Sequence, residues 1–411
     1  MGLDLGLEQA GLAASLTVEL DRWCCDTIRL NRSDVEVLQA DVSTLTDEKL
    51  RSIRKFDDQV FLMTGGPPCQ SFSSGGKRAA LNDPRGNLIY EYLRLISQVR
   101  PKYFVLENVA NLVTAALRHR PIKDRPGQHW SLKTYSGKQP NVNDGALPLE
   151  PDEMSGSAIR QVLEDVKQLG YSVNFGVLDA ADFGAPQHRL RFVMIGSSGR
   201  EVPELPRATH GDASHLTPFA TVRDAIYDLR YAPGEHSTYT PGMARFFDLV
   251  PPGGNWRNLP KELQSEALGG AYASGGGKTG FFRRLSWDEP APTIIGRANR
   301  KASALCHPET TRPLSIKECA RLQGFPDDWM FTGAANQKYQ QVGNAVPTHL
   351  GFAIGNAIQR IDAQNPTGKK LLSDYSSGYS FEFMLENAVA RLRASARNKK
   401  SKPLELQNSL F

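Results

Sequence analysis

Cys69 follows two glycines and two prolines in Gly65-Gly-Pro-Pro-Cys-Gln70. The apolar run Val60-Phe-Leu-Met63 precedes it and reads as a buried strand. The glycines let the chain turn sharply, and the prolines stiffen the loop beyond the turn. A thiol is thereby set on a rigid loop at a strand end, where covalent catalysis would place a nucleophile. The ordinary fate of a lone cysteine is a small buried hydrophobe, so its company must decide. Glu19, Asp41 and Glu107 also fall at the C-terminal ends of strand-like runs. In open α/β sheets ligands bind at that edge. Four reactive or polar groups on four strands would then face one cleft.

The elements that must position these groups alternate along residues 1–200. Ser15–Glu19, Glu36–Asp41, Val60–Met63, Tyr103–Glu107, Tyr171–Leu178 and Arg191–Gly196 read as strands. Asn87–Arg100 carries Leu88, Tyr92, Leu95, Ile96 and Val99 at helical spacing, and Ala158–Leu169 carries Ile159, Val162, Leu163 and Val166 before Gly170. Such alternation predicts an α/β fold with a mostly parallel, doubly wound sheet. Residues 114–157 are polar, rich in Pro, Gly, Lys and Arg, and read as an inserted surface loop. From about 200 to 310, Pro and Gly are frequent and aromatics mix with Arg and Lys, which predicts a second, irregular domain. Ser315-Ile-Lys-Glu318 is a capping-box signature for a helix ending near Gly324. After residue 363 comes an appended segment with an amphipathic stretch, Phe381–Leu392, and a basic run to Lys402.

The 411 residues suffice for about two or three domains, and 40% hydrophobic with 23% charged residues is a globular balance. No apolar stretch is long enough for a bilayer, and no signal peptide is expected at the N-terminus. The five cysteines form no C-x-x-C pair, so neither a zinc site nor a disulfide framework is indicated. A net charge of +5 is compatible with a polyanionic partner.

Five motifs in order carry a resemblance: Gly65-Gly-Pro-Pro-Cys-Gln-Ser-Phe72, Glu107-Asn-Val109, Gln187-His-Arg-Leu-Arg191, Arg321-Leu-Gln-Gly-Phe-Pro326 and Gly343-Asn-Ala-Val-Pro347. The chain resembles the C5-specific DNA cytosine methyltransferases of the bacterial restriction–modification type. The resemblance implies a Rossmann-like fold that binds S-adenosylmethionine, with a smaller target-recognition domain. Residues 1–200 and 311–363 would form the catalytic domain, 201–310 the recognition domain, and 364–411 a basic extension. It implies that Cys69 adds to C6 of a flipped cytosine so that C5 can accept a methyl group. Glu107 would contact N3 and the exocyclic amine. Of Arg189 and Arg191, placed on one face by strand alternation, one would steady the cytosine O2 and the other support Glu107 or the DNA backbone. Gln187 would lie beside the flipped base. Gln70, Ser73, Ser74, Lys77 and Arg78 would meet DNA on a loop, Ser71–Arg85, that closes over the duplex. Base flipping costs a few kcal/mol, recovered in the pocket.

On the cofactor side the resemblance assigns Glu19 to the ribose hydroxyls and Asp41 to the adenine amine, with Val42, Pro67, Leu88 and Asn344 nearby. The family's first motif, a Phe-x-Gly-x-Gly-Gly loop after the first strand, has no counterpart, and Met1–Gly11 reads as the helix that would follow it. The expectation is that the true start lies upstream, or that the chain is a truncated, impaired DNA-binding remnant. In the recognition region, Arg283 to Ile294 resembles the usual core, with Arg283 and Arg284 expected on DNA. Gly275-Gly-Gly-Lys-Thr279 imitates a phosphate loop, but Tyr272 stands where its first glycine is required. Gln407-Asn-Ser-Leu-Phe411 resembles a peptide that binds the replication sliding clamp, with Asn408 departing from its usual leucine. The resemblance further implies a monomer acting on double-stranded DNA in the bacterial cytoplasm, associated with the nucleoid. The rival on the same scaffold is a tRNA cytosine-5 methyltransferase, which would lack a large recognition domain and typically carries a Cys-Phe-Thr signature absent here.

Overall fold

The structure is a computed structural model that describes residues 1–53, 59–67, 88–118, 148–199, 201–273, 280–364 and 380–398. Cys69, Gln70, Ser73, Ser74, Lys77 and Arg78, the loop around them, Gly275–Thr279 and Gln407–Phe411 lie outside the described residues. In chain order the elements are α1 (Gly2–Gln9), β1 (Leu16–Glu19), α2 (Arg22–Asn31), β2 (Glu36–Gln39), α3 (Asp47–Ile53), β3 (Leu62–Gly65), α4 (Leu88–Val99) and β4 (Tyr103–Val109). Next come α5 (Ser157–Gln168), β5 (Ser172–Asp179), β6 (Gln187–His188), β7 (Leu190–Ser197), α6 (Val222–Ile226), α7 (Pro241–Asp248) and α8 (Lys261–Leu268). The last are β8 (Arg283–Arg284), β9 (Ala291–Pro292), β10 (Leu305–Cys306), α9 (Ile316–Leu322), α10 (Ala335–Asn344), α11 (Thr348–Gln364) and α12 (Phe381–Asn398). Among the described residues no helix is long and apolar enough to cross a membrane.

Packing divides the chain into two compact units, and they cut it differently from the sequence pattern. One holds Met1–Thr44, Asp179–Arg189 and Pro206–Gln359; the other holds Leu45–Leu178, Leu190–Leu205 and Arg360–Phe411. The second unit is built on a sheet of order β3-β4-β7-β5. β3 and β4 run parallel, but β7 runs antiparallel to β4, from Tyr103 opposite Ser197 to Val109 opposite Arg191. β4 is buried on both faces, which explains its near-continuous apolar sequence. Phe104, Leu106, Phe192 and Met194 from the sheet meet Ile89, Ile96, Ile159, Val162 and Val166 from α4 and α5 in one core. Each such side chain contributes about 1.5–3 kcal/mol on burial. α12 adds Met384 and Ala388 to this core, so the appended helix is part of the unit's packing.

In the other unit β1 and β2 form a parallel pair with Glu19 opposite Gln39. α1 approaches the chain after α10 backbone to backbone: a Cβ on Gly2 would lie 2.0 Å from the Val346 carbonyl oxygen. The expected capping box is present, with Ser315 Oγ accepting from the Glu318 N–H at 3.0 Å and Glu318 Oε2 accepting from the Ser315 N–H at 2.7 Å. The region after residue 206, read as irregular, carries three short helices among its described residues. α6, α7 and α8 are five to eight residues long, too short to display a helical period clearly.

Candidate active site

Glu107 closes the apolar part of β4, and Arg191 lies on β7 two residues from Val193, its direct partner across the ladder. Two-residue spacing keeps Arg191 on the same sheet face, as a diagonal neighbour. Arg191 Nε reaches Glu107 Oε1 at 2.6 Å, with both side chains mostly buried. Charge-assisted contacts of this length are the strong kind. Glu107 Oε2 accepts no hydrogen bond from the described residues and lies 3.0 Å from where a Cβ on Gly66 would stand. Any larger residue there would press on the carboxylate.

The turn that leads to Cys69 is held by its neighbours. Asn108 Nδ2 donates to the Pro67 carbonyl oxygen at 3.2 Å. The ring of Tyr92 fills the space beside Gly65, where a Cβ would come within 2.3 Å. Its hydroxyl donates to the carbonyls of Met63 at 3.0 Å and Val105 at 2.9 Å, linking β3 and β4 just before their functional ends. Leu88, the first residue of α4, is partly buried.

In the other unit, Glu19 ends β1, and its Oε1 accepts from the backbone N–H groups of Leu20 at 2.8 Å and Asp21 at 2.9 Å. Asp21 caps α2 by accepting from the Cys24 N–H. Asp41 follows β2, and its Oδ1 accepts from the backbone N–H and the hydroxyl of Ser43. Those two bonds, the backbone one first, hold the Asp41 carboxyl below its ordinary value. Both acids therefore stand fixed at the C-terminal ends of neighbouring parallel strands. Val42 is partly buried beside Asp41, and Asn344 is exposed at the end of α10.

Three expected contact residues are committed to the protein interior instead. β6 ends at His188 and β7 starts at Leu190, so strand alternation does not relate Arg189 to Arg191. Arg189 is 2% exposed; its N–H bonds to Asp179 Oδ1 at 2.8 Å, and its guanidinium donates to the carbonyls of Ile294 and Gly343. Gln187 is fully buried and donates to the Leu322 carbonyl and to Gln323 Oε1. Arg284 is buried, donating to the carbonyls of His307, Pro308 and Phe247 and to the Thr311 hydroxyl. These interior bonds occupy groups expected on a base or on DNA. Arg283, one residue earlier, is partly buried.

A family model, C-5 cytosine-specific DNA methylase, matches residues 1–121 and 151–360. The chain belongs to that family. It is 37% identical over 366 residues to the Type II methyltransferase M.PspPI of Psychrobacter sp., covering 88% of this chain and 77% of the relative. It is 34% identical to M.Eco47II of Escherichia coli over 87% of this chain and 76% of the relative, and 33% identical to M.Sau96I of Staphylococcus aureus over 87% and 73%. A prophage-encoded DNA modification methyltransferase of E. coli has a similar fold, with a TM-score of 0.55 at 23% identity, over 87% of this chain and 95% of that one. This methylase is accordingly a DNA cytosine-5 methyltransferase of the restriction–modification kind, and its family's methyl donor is S-adenosylmethionine.

Within the methylase, motif reading passed over two residues. Asn108 stood beside Glu107 as a mere neighbour; its bond to Pro67 makes it the tie between the acid's strand and the thiol's loop. Leu20 carries no polar chemistry, yet it is 63% exposed directly beside Glu19.

Proposed function

We propose that this methylase acts through Cys69 as nucleophile, Glu107 as the group that holds and charges the cytosine ring, and Arg191 as the cation that fixes Glu107. The Glu107–Arg191 contact of 2.6 Å at the sheet edge is the observation that carries this reading. Arg191 occupies one carboxylate oxygen, which turns the other toward a ring N3 and an exocyclic amine. The Cys69 thiolate forms a bond to C6 of a flipped cytosine, and the ring electrons move to C5. S-adenosylmethionine, when bound, would supply a methyl group to C5 and leave as S-adenosylhomocysteine. Loss of the C5 proton to a base returns the electrons and expels the thiolate, so the enzyme is regenerated unchanged.

The residues at the donor site fit an adenosine. Glu19, pinned through Oε1, suits a pair of ribose hydroxyls, and Asp41 suits an exocyclic amine. Leu20 and Val42 offer apolar contact to the adenine faces, and Asn344 belongs to the same proposed set. On the DNA side, Gln70, Ser73, Ser74, Lys77 and Arg78 belong to the phosphate-contacting loop.

Duplex DNA made with 5-fluorocytosine in place of cytosine tests the mechanism. The fluorine cannot leave as the proton does, so a methylated adduct persists on the enzyme. With S-adenosylmethionine the wild-type chain is expected to give a denaturation-resistant adduct whose linked peptide contains Cys69, and Cys69→Ser none. Methylation of ordinary DNA with no adduct on the fluorinated duplex would overturn the covalent route.

A further inference from the structure

The interior bonds of Gln187 and Arg189 form a knot within their unit. Arg189 donates to the Ile294 carbonyl at 2.7 Å and to the Gly343 carbonyl at 2.8 Å. Gln187 Nε2 donates to the Leu322 carbonyl at 2.7 Å, and its Oε1 accepts from the Ile294 N–H at 3.2 Å. Gln323 Nε2 donates to the Val342 carbonyl at 2.7 Å. Three segments far apart in sequence thus share one buried set of bonds. They are the recognition segment at Ile294, the start of the Gln323-Gly-Phe-Pro turn, and the end of α10.

The backbones at this knot touch directly. A Cβ on Gly343 would lie 2.1 Å from the Gly296 nitrogen, and one on Gly296 would lie 2.8 Å from the Gln340 Cα. Glycine is needed at both places for close approach, not for an unusual dihedral. The chain leaves the knot in two directions that matter. Asn344, next to Gly343, is exposed at the end of α10. Ile295, Arg297, Asn299 and Arg300, just after Ile294, are exposed on the recognition segment.

We infer that Arg189 is a positioning residue that couples DNA binding to cofactor binding, by holding the recognition segment and the Asn344 turn as one body. This rests on the reading that Asn344 meets the cofactor and that the recognition region, residues 201–310, faces DNA. A ligand on either side then orders the shared knot, and the second ligand finds it already ordered. Such coupling is reciprocal and typically worth about 5–150-fold in affinity. Arginine suits the task because its planar fork donates along two fixed directions at once; a lysine ammonium offers charge without that fork.

The test uses the full chain, S-adenosylhomocysteine as a non-reacting ligand, and a duplex carrying the sequence that bisulfite mapping shows this enzyme to methylate. DNA dissociation constants are measured with and without S-adenosylhomocysteine. In the wild type their ratio is expected to be about fivefold or more. Arg189→Lys is expected to bring the ratio near one, while each ligand alone binds within about threefold of wild type. Gly296→Ala, which pries the two backbones apart from the other side, should lower the ratio in the same way and stands in if Arg189→Lys does not fold. A wild-type ratio of one, or a ratio unchanged in a folded Arg189→Lys or Gly296→Ala protein, overturns the coupling. Asn344→Ala tests the underlying reading separately: unchanged S-adenosylhomocysteine affinity in that variant removes Asn344 from the cofactor site.

Discussion

Two arginine–glutamate pairs of this methylase look alike in composition and differ in everything else. Glu318 is fully buried at the start of α9. It takes Arg312 Nη1 and Nη2 at 2.7 Å each and the Ser315 N–H at 2.7 Å, so both oxygens are filled. Glu107 takes Arg191 on one oxygen and, among the described residues, nothing on the other. A saturated carboxylate can only hold its surroundings together. A half-saturated one at a sheet edge keeps capacity for a substrate. The number of filled acceptor positions therefore separates scaffold from chemistry where residue type does not.

The largest expected effect falls on the open pair. Glu107→Gln should lower the methyl-transfer rate at saturating DNA and cofactor by about 10²–10⁴-fold, the usual range for a proton-handling carboxylate. Its unfolding free energy should change by about 1.5–3 kcal/mol, the scale of one hydrogen bond to a charged group. Single-turnover kinetics beside urea unfolding measure both. A variant that keeps its rate but loses the fold would place Glu107 with the scaffold and erase the contrast.

The closed pair should show the reverse. Glu318→Gln leaves Arg312 buried with its charge uncompensated, which costs about 3–5 kcal/mol of stability. The folded fraction should turn over within about threefold of wild type. Urea midpoints and active-site titration with the fluorinated duplex separate the two quantities, and a slow but stable variant would bring Glu318 into the chemistry.

Legibility in the sequence depended on what each residue type can signal. Strand ends were legible at β1 and β3, whose short runs stop at Glu19 and Gly65, and nearly so at β2 and β4, where Asp41 follows the strand by two residues and Glu107 precedes its end by two. The placement of Glu107 was legible because an acid directly after Val105-Leu106 marks the point where the apolar part of β4 stops. The Gln187-x-Arg189-x-Arg191 run misled, because alternation assumes one unbroken strand. The Arg189 N–H is spent on Asp179 rather than on a ladder, so the chain breaks between the two arginines. Arg284 misled for a related reason: four acceptors converge on its guanidinium from residues 23 to 37 positions away, which no local pattern displays. α2 went unread because its apolar positions, Trp23, Cys25 and Ile28, are few.

The smallest expected effect is a pH dependence centred on the closed pair. His307 is fully buried, with its ring edge-on to Trp287. Its Nδ1 accepts from the N–H groups of Glu309 at 3.3 Å and Thr310 at 3.1 Å. Nε2 stands 3.8 Å from Glu318 Oε1. Burial first, and Arg312 second, push its pKa down from 6.5 to about 4, against the opposing pull of Glu318. A proton on Nδ1 would also face two backbone N–H groups. The unfolded chain therefore takes up the proton first as pH falls. Stability is full above pH 6.5 and declines as pH drops from there toward about 4. The slope is at most about 1.4 kcal/mol per pH unit, for a total of about 3 kcal/mol. His349, also pushed down by burial and then by His210, adds to the decline in the same direction. His307→Gln keeps an acceptor for the two N–H groups but cannot titrate, so the difference between its urea midpoints and those of wild type isolates His307. That difference should shrink steadily between pH 6.5 and 5, before the carboxylates titrate. Parallel stability curves for the two proteins would mean that His307 is protonated in the folded state, and that the closed pair tolerates a third charge beside it.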